Sequence, residues 1–163
     1  IHVVGRQPRA GAKGDWEAAA VSEYVDRLAG GSPEIKVQTV FHKTDAQLLR
    51  AVEKAGHNAI VLDERGALLT SEDFADLFFD RLEAGGSRLL FVVGGATGLP
   101  AELRGLPVAK PGPAQAESAG PRRELLSLGR MVLPHRLVRV ILVEQIYRAA
   151  QMRKGTNYHV GDP

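Results

Sequence analysis

Two glycine turns, one long helix and a Tyr-His pair hold the residues of this sequence that could do chemistry. The turns are Leu62-Asp63-Glu64-Arg65-Gly66 and Gly94-Gly95-Ala96-Thr97-Gly98. Each follows an apolar run, and glycine turns at strand ends are where α/β proteins bind ligands. Neither is a Walker phosphate loop, because no Gly-Lys-Ser/Thr follows, and GGATG lacks the dinucleotide spacing. Singly, each is as readily a tight turn as a binding loop; their succession after apolar strands favours a pocket. The helix is announced by Met131-Val132-Leu133 and by Pro134, whose φ is pre-set for a first helical turn. It carries His135, Arg136, Arg139, Glu144, Gln145 and Arg148. At about 100° per residue, His135 and Arg139 share one side, and Glu144, Arg148 and Gln151 share roughly the other. Leu, Val, Ile, Tyr and Ala fill the flanks. A helix apolar nearly all round must be buried nearly all round, which in a small domain predicts one side packed on a second subunit.

The histidines are His2, His42, His57, His135 and His159. No pair stands at metal-ligand spacing with a carboxylate, so no metal site is expected. His135 reads as a cap or packing residue at a helix start. Ser127 has no nucleophile elbow around it, which argues against a serine hydrolase. Tyr158 and His159 lie in a polar tail with no packing role visible. The residues alone leave a disordered end and a group that closes a site equally open.

The elements that must position these residues alternate along the chain. Residues 1–4 read as a strand and 15–28 as a helix. Residues 35–41 form a second strand by their β-branched alternation. Thr44 opens a helix, with Gln47 placed for a capping box. Residues 59–62 are a short buried strand that ends at the first glycine turn. Residues 71–84 are a helix whose Glu72 and Asp73 suit its N-terminal dipole, and residues 89–93 are a wholly apolar strand. Strand and helix in alternation predict an α/β fold, a mostly parallel sheet flanked by helices. Strands without polar alternation are covered on both faces. Residues 105–121, rich in Pro, Ala and Gly, read as a mobile loop.

The chain has 163 residues, enough for one domain with a real core, and no internal repeat. It has no cysteine, which excludes disulfides and thiolate metal ligands. No apolar run is long enough to span a bilayer. The net charge is only +2, so a nucleic-acid partner would need clustered cations. Clusters exist at Arg6, Arg9 and Lys13, at Arg122, Arg123 and Arg130, and from Arg136 to Lys154. Charge alone still favours an ordinary solvated surface. The first residue lies inside a strand and is not Met; the expected location is the cytoplasm, or a plastid or mitochondrion if a leader has been removed.

Four blocks in order, LDERG, FVVGGATGL, LSLGRMVLPHRLVRVILVEQIYRA and NYH, resemble the RlmH family. These are SPOUT-superfamily methyltransferases that act on large-subunit ribosomal RNA with S-adenosylmethionine. Val3-Val4-Gly5-Arg6, Trp16 and Glu23-Tyr24 are also similar, so the likeness spans nearly the whole chain, 1–163, as a single domain. It implies a C-terminal trefoil knot, against the general rule, and a homodimer with each cofactor pocket near the subunit interface. It assigns cofactor contacts to Leu62, Gly94, Leu128, Gly129, Arg130, Met131, Val132 and Leu133. The implied substrate is N3 of a pseudouridine, read in the assembled ribosome. His159 is then the candidate base or orienting group, with Tyr158 beside it, reaching in from the tail of either subunit. Arg136 and Arg139 are candidates to hold RNA phosphate or the carbonyls beside N3, Arg139 also as a catalytic group. Glu144 and Arg148 read as an i,i+4 pair inside the interface. The tail, residues 155–163, runs past the family's usual Tyr-His ending, and the 105–121 loop looks longer than the family's. Two other readings are a non-catalytic ribosome-binding or assembly factor on the same fold, and a flavodoxin-like nucleotide-binding protein. The intact glycine loop and 128–133 run favour the enzyme over the first, and the lack of phosphate loops disfavours the second.

Overall fold

Apolar strands need cover on both faces, and the protein supplies it with helices on either side of one sheet. The computed structural model describes residues 1–5, 15–56, 58–95, 97–110 and 122–159, the His159 side chain excepted. The cations Arg6, Arg9 and Lys13, positions 111–121 of the expected loop and positions 160–163 of the tail lie outside the described residues. In chain order the elements are β1 (His2–Val4), α1 (Trp16–Ala29), β2 (Val40–His42), α2 (Asp45–Lys54) and β3 (Ala59–Leu68). There follow α3 (Ser71–Ala84), β4 (Leu90–Val93), α4 (Ala101–Arg104), β5 (Arg123–Ser127), α5 (His135–Lys154) and a 3₁₀ turn at Asn157–His159.

The five strands pair in the order β2-β1-β4-β3-β5, every pair parallel. Successive side chains alternate between two cores. Ile60, Leu62, Phe91, Val93 and Leu126 point to the face covered by α1, α3 and α5. Val61, Val92 and Leu125 point to the opposite face, where Leu48 and Val52 of α2 and Leu103 of α4 cover them. The parallel α/β sheet read from the sequence is therefore present, with both faces buried.

Local chemistry starts the helices where the sequence says. Thr70 Oγ1 accepts from Asp73 N at 3.1 Å to cap α3. Thr44 Oγ1 accepts from Gln47 N at 3.3 Å, but Gln47 Oε1 reaches back to Lys43 N, one residue before the cap. The expected strand over 35–41 is shorter, Val40–His42. A strand needs a partner, and β2 pairs only with β1, in the register His2↔Val40 to Val4↔His42. Residues 35–39 run past that register.

Candidate functional site

β3 does not end at Leu62, as its apolar run suggests; it continues to Leu68 through a bulge. Leu62 and Ala67 both stand opposite Leu126 of β5, so Asp63, Glu64, Arg65 and Gly66 form the extra length between them. The sequence reading of LDERG as a strand-ending turn is thereby corrected. Gly66 is what permits the bulge: a Cβ there would lie 2.4 Å from the backbone of Leu126. Asp63 accepts from the Arg65 guanidinium at 2.8 Å and from Arg65 N at 2.9 Å. The Arg65 hydrogen bond, the first of these causes, holds the Asp63 carboxyl below its ordinary range.

β4 ends at Val93 and the chain turns back on itself at the second glycine run. Gly98 N donates to Gly95 O at 3.0 Å. A Cβ on Gly94 would lie 2.7 Å from the Gly98 carbonyl carbon. The loop is tight because two backbone stretches touch there, so glycine at 94 serves the loop's own closure. Arg104 of α4 braces it, donating from Nε to Leu99 O at 2.8 Å.

β5 ends at Ser127, whose Oγ donates to Gly129 O at 2.8 Å and accepts from Gly129 N. The chain then runs without regular structure to Pro134, which starts α5. Arg130 ties this segment to the β3 bulge: its Nη1 donates to Gly66 O at 3.1 Å and to Glu64 O.

These segments and the first turn of α5 enclose a cavity of about 480 Å³, a volume within the range of small-ligand sites. Leu62, Gly94, Leu128, Gly129, Met131, Val132 and Leu133 all line it. Arg130 does not; its side chain braces the wall from behind. Asp63 and Glu64, part of the first candidate glycine turn, also line it, and the sequence reading did not single out Val93 or Leu99 as wall residues, nor His135 and Val138, which α5 contributes. The period of α5 places Val138 one turn after His135, the only signal that could have found it. Met131 and Val132 are 76% and 85% exposed, large apolar side chains held in water at the cavity.

The cations of α5 are placed differently from the sequence expectation. Arg139 is buried, forms an ion pair with Glu17 of α1, and lies over the Phe41 ring at 4.6 Å. Burial lowers its pKa from the ordinary arginine value. It is committed to the interior and is not presented to a phosphate, because α1 brings a fully buried carboxylate against it. Arg136 also holds Glu17, at 2.8 Å, and Asp15 at 3.2 Å, yet its side chain stays 46% exposed. Arg148 and Glu144 form the expected i,i+4 pair at 2.7 Å.

The tail folds back on the far end of α5. Tyr158 packs edge-on against Tyr147 with centroids 4.9 Å apart, and its hydroxyl donates to Glu144 Oε1 at 3.4 Å. Arg148 lies over the Tyr158 ring at 4.9 Å. Burial pushes the Tyr158 hydroxyl up, so it stays protonated at neutral pH. Its partner Glu144 follows the cavity residue Val138 by six positions of α5, about 9 Å along a helix. Tyr158 is not among the residues that line the cavity. His159 closes the 3₁₀ turn, and its side chain lies outside the described residues.

Comparison with known proteins gives this cavity a context. The family described as "Predicted SPOUT methyltransferase" matches residues 9–107 and 112–159. The chain belongs to the SPOUT methyltransferases. A protein named ribosomal RNA large subunit methyltransferase H from Protochlamydia amoebophila is 37% identical over 147 residues, 90% of this chain and 91% of its own length. A protein of the same name from Dinoroseobacter shibae is 41% identical over 141 residues, 86% of this chain and 74% of its own. Another, from Cereibacter sphaeroides, is 36% identical over 156 residues, 96% of this chain and 84% of its own.

SPOUT methyltransferases take their methyl group from S-adenosylmethionine, and the cavity wall suits that molecule. Among the described residues, the N–H groups of Arg130, Met131, Val132 and Leu133 have no backbone partner, which leaves donors for a polar ligand. Val93, Leu99, Leu133 and Val138 supply apolar surface for a flat ring. Glu64 sets negative charge at a wall that would face a cation. Among the described residues no three His, Asp or Glu side chains converge as a metal site, and no helix is long and apolar enough to cross a membrane.

Proposed function

We propose that this SPOUT methyltransferase binds S-adenosylmethionine in the 480 Å³ cavity and methylates N3 of a pseudouridine in large-subunit ribosomal RNA. The observation that carries the reading is the convergence of Leu62, Gly94 and the 128–133 segment on one cavity. These are distant in sequence, and they are the positions that a donor site requires. Bound there, the cofactor supplies an activated methyl group on a sulfonium. The protein's part is positional. Backbone donors of residues 130–133 hold the polar edge of the ligand, while the apolar wall holds its ring and excludes water. Arg130 fixes the two wall segments relative to each other and acts as a positioning residue.

N3 of the target must lose a proton, so an acceptor has to arrive from outside the wall. His159 is the assigned acceptor or orienting group. Because Tyr158 is docked some distance from its own cavity, the tail serves the cavity of a second copy, and the working form is a homodimer. The surface for that copy is the side of α5 turned away from the core. Leu137, Val140 and Ile141 are only partly buried there, and they continue the exposed pair Met131 and Val132. Arg136, though paired with Asp15 and Glu17, is half exposed and keeps its role as an RNA contact, whereas Arg139 is buried against Glu17 and does not. The whole chain forms one methyltransferase domain, with the C-terminal segment threaded as the family's knot, and works on the ribosome in the cytoplasm. Titration calorimetry with S-adenosylmethionine and with its demethylated product tests the first step. Binding without added metal is expected; no heat at millimolar cofactor would refute the reading.

A further inference from the structure

Trp16 is the chain's one tryptophan, and it is 53% exposed although α1 has a core-facing side available. Val21, Tyr24, Val25 and Leu28 of the same helix pack into the core, and Trp16 does not join them. Among the described residues no ring stacks on it and no cation lies over it. Tryptophan is enriched at contact surfaces, where its ring meets a partner while part of it stays wet. The helix start that carries it is tied to α5. The residues on either side, Asp15 and Glu17, are both gripped by Arg136, at 3.2 and 2.8 Å. Glu17 is fully buried and also holds Arg139. These pairs, the buried Glu17–Arg139 pair above all, join the start of α1 to the start of α5, whose His135 and Val138 line the cavity.

We propose that Trp16 is the platform on which an unpaired base of the RNA substrate stacks beside the methyl-donor cavity. The inference rests on the reading of the chain as a ribosomal RNA methyltransferase and adds a substrate contact to it. An RNA base in a loop offers an unstacked π-face, and aromatic side chains are the common partner for it. Arg136, paired with Asp15 and Glu17 but 46% exposed, lies on the first turn of α5 that those two neighbours of Trp16 contact. The indole thus binds the RNA and orients it, and it handles no proton.

The test compares Trp16→Leu, which keeps apolar bulk, with Trp16→Phe, which keeps an aromatic face. Methyl transfer is measured against the concentration of ribosomes lacking the modification. Cofactor affinity is measured by calorimetry and subunit mass by light scattering. Trp16→Leu should raise KM for ribosomes at least about fivefold, the low end of what one stacked base contributes. Trp16→Phe should stay near wild type, and cofactor affinity and mass should not change in either. An unchanged KM in Trp16→Leu, or equal behaviour of the two variants, would overturn the stacking role. A loss of dimer mass in step with KM would also overturn it, by showing that Trp16 contacts the second copy. A wild-type protein that transfers no methyl group to these ribosomes would instead refute the parent reading.

Discussion

Glu17→Leu should loosen the junction between α1 and the cavity wall, and its size can be worked from the burial of the groups involved. Glu17 is 0% exposed and Arg139 4%. Removing the carboxylate leaves the Arg139 guanidinium buried against the Phe41 face, with Asp15 as its remaining opposite charge. Breaking one side of a buried pair costs about 3–5 kcal/mol, because the remaining charge has lost both water and partner. The Arg136 contact adds little, since that side chain is half in water and screened. A domain of this size loses roughly 2–4 °C of Tm per kcal/mol, so the variant should melt about 6–20 °C lower. The double variant Glu17→Leu with Arg139→Met removes both charges and leaves apolar bulk, and it should recover most of the loss. Urea unfolding followed by circular dichroism, with thermal melts, measures both. A loss under about 1 kcal/mol in the single variant would refute the reasoning, since the smallest cost expected of an orphaned buried charge is several times larger. A double variant as unstable as the single one would refute it as well.

Arg130→Ala should weaken cofactor binding roughly 5–30-fold, because partly exposed charge-assisted hydrogen bonds to two carbonyls of the β3 bulge are lost; unchanged calorimetric affinity would remove Arg130 from the site's framework. Ile141→Asp should turn the dimer into monomer or aggregate, as an unpaired charge would enter the interface, and a monomeric wild type by light scattering at micromolar concentration would dismiss the homodimer. Val138, also on α5, is less suited to that test because it lines the cavity. Deleting residues 157–163 should leave cofactor affinity nearly unchanged and sharply reduce methyl transfer to ribosomes; full activity would show that the tail takes no part. The His2 and His42 rings meet at 2.9 Å, and burial holds the His2 pKa near about 4 and lowers that of His42. Both rings are therefore neutral in the fold and take up protons more readily when unfolded. Their contribution is present above the unfolded value of about 6.5 and is lost as pH falls towards 4. The urea midpoint should drop between pH 7 and pH 5, and should drop less in His42→Gln; equal slopes in the two proteins would refute the assignment.

The parallel sheet was legible because Ile60, Val61 and Leu62, like Phe91, Val92 and Val93, are apolar at every position, as strands buried on both sides must be. The helix starts were legible because Thr44, Pro134 and the Glu72-Asp73 pair act locally. The β3 bulge was not, because its cause is a backbone approach between Gly66 and Leu126, positions sixty residues apart. The fate of Arg139 was hidden for the same reason: its spacing on α5 is visible, but the buried carboxylate that claims it comes from α1. Glycine turns pointed to the pocket, and the likeness of the 128–133 segment named its third wall. Nothing local marked Leu99 as a wall residue. The docking of Tyr158 onto Glu144, Tyr147 and Arg148 joins a helix to a tail, a contact that no periodicity encodes.

Transfer of a labelled methyl group from S-adenosylmethionine to ribosomes lacking the modification, followed by mass analysis of the large-subunit RNA, tests the account most directly. The predicted result is a single added methyl, mapped to N3 of one pseudouridine and absent when the demethylated cofactor is supplied in excess. Cofactor binding without any methyl in the RNA, or a methyl placed on another atom, would contradict it.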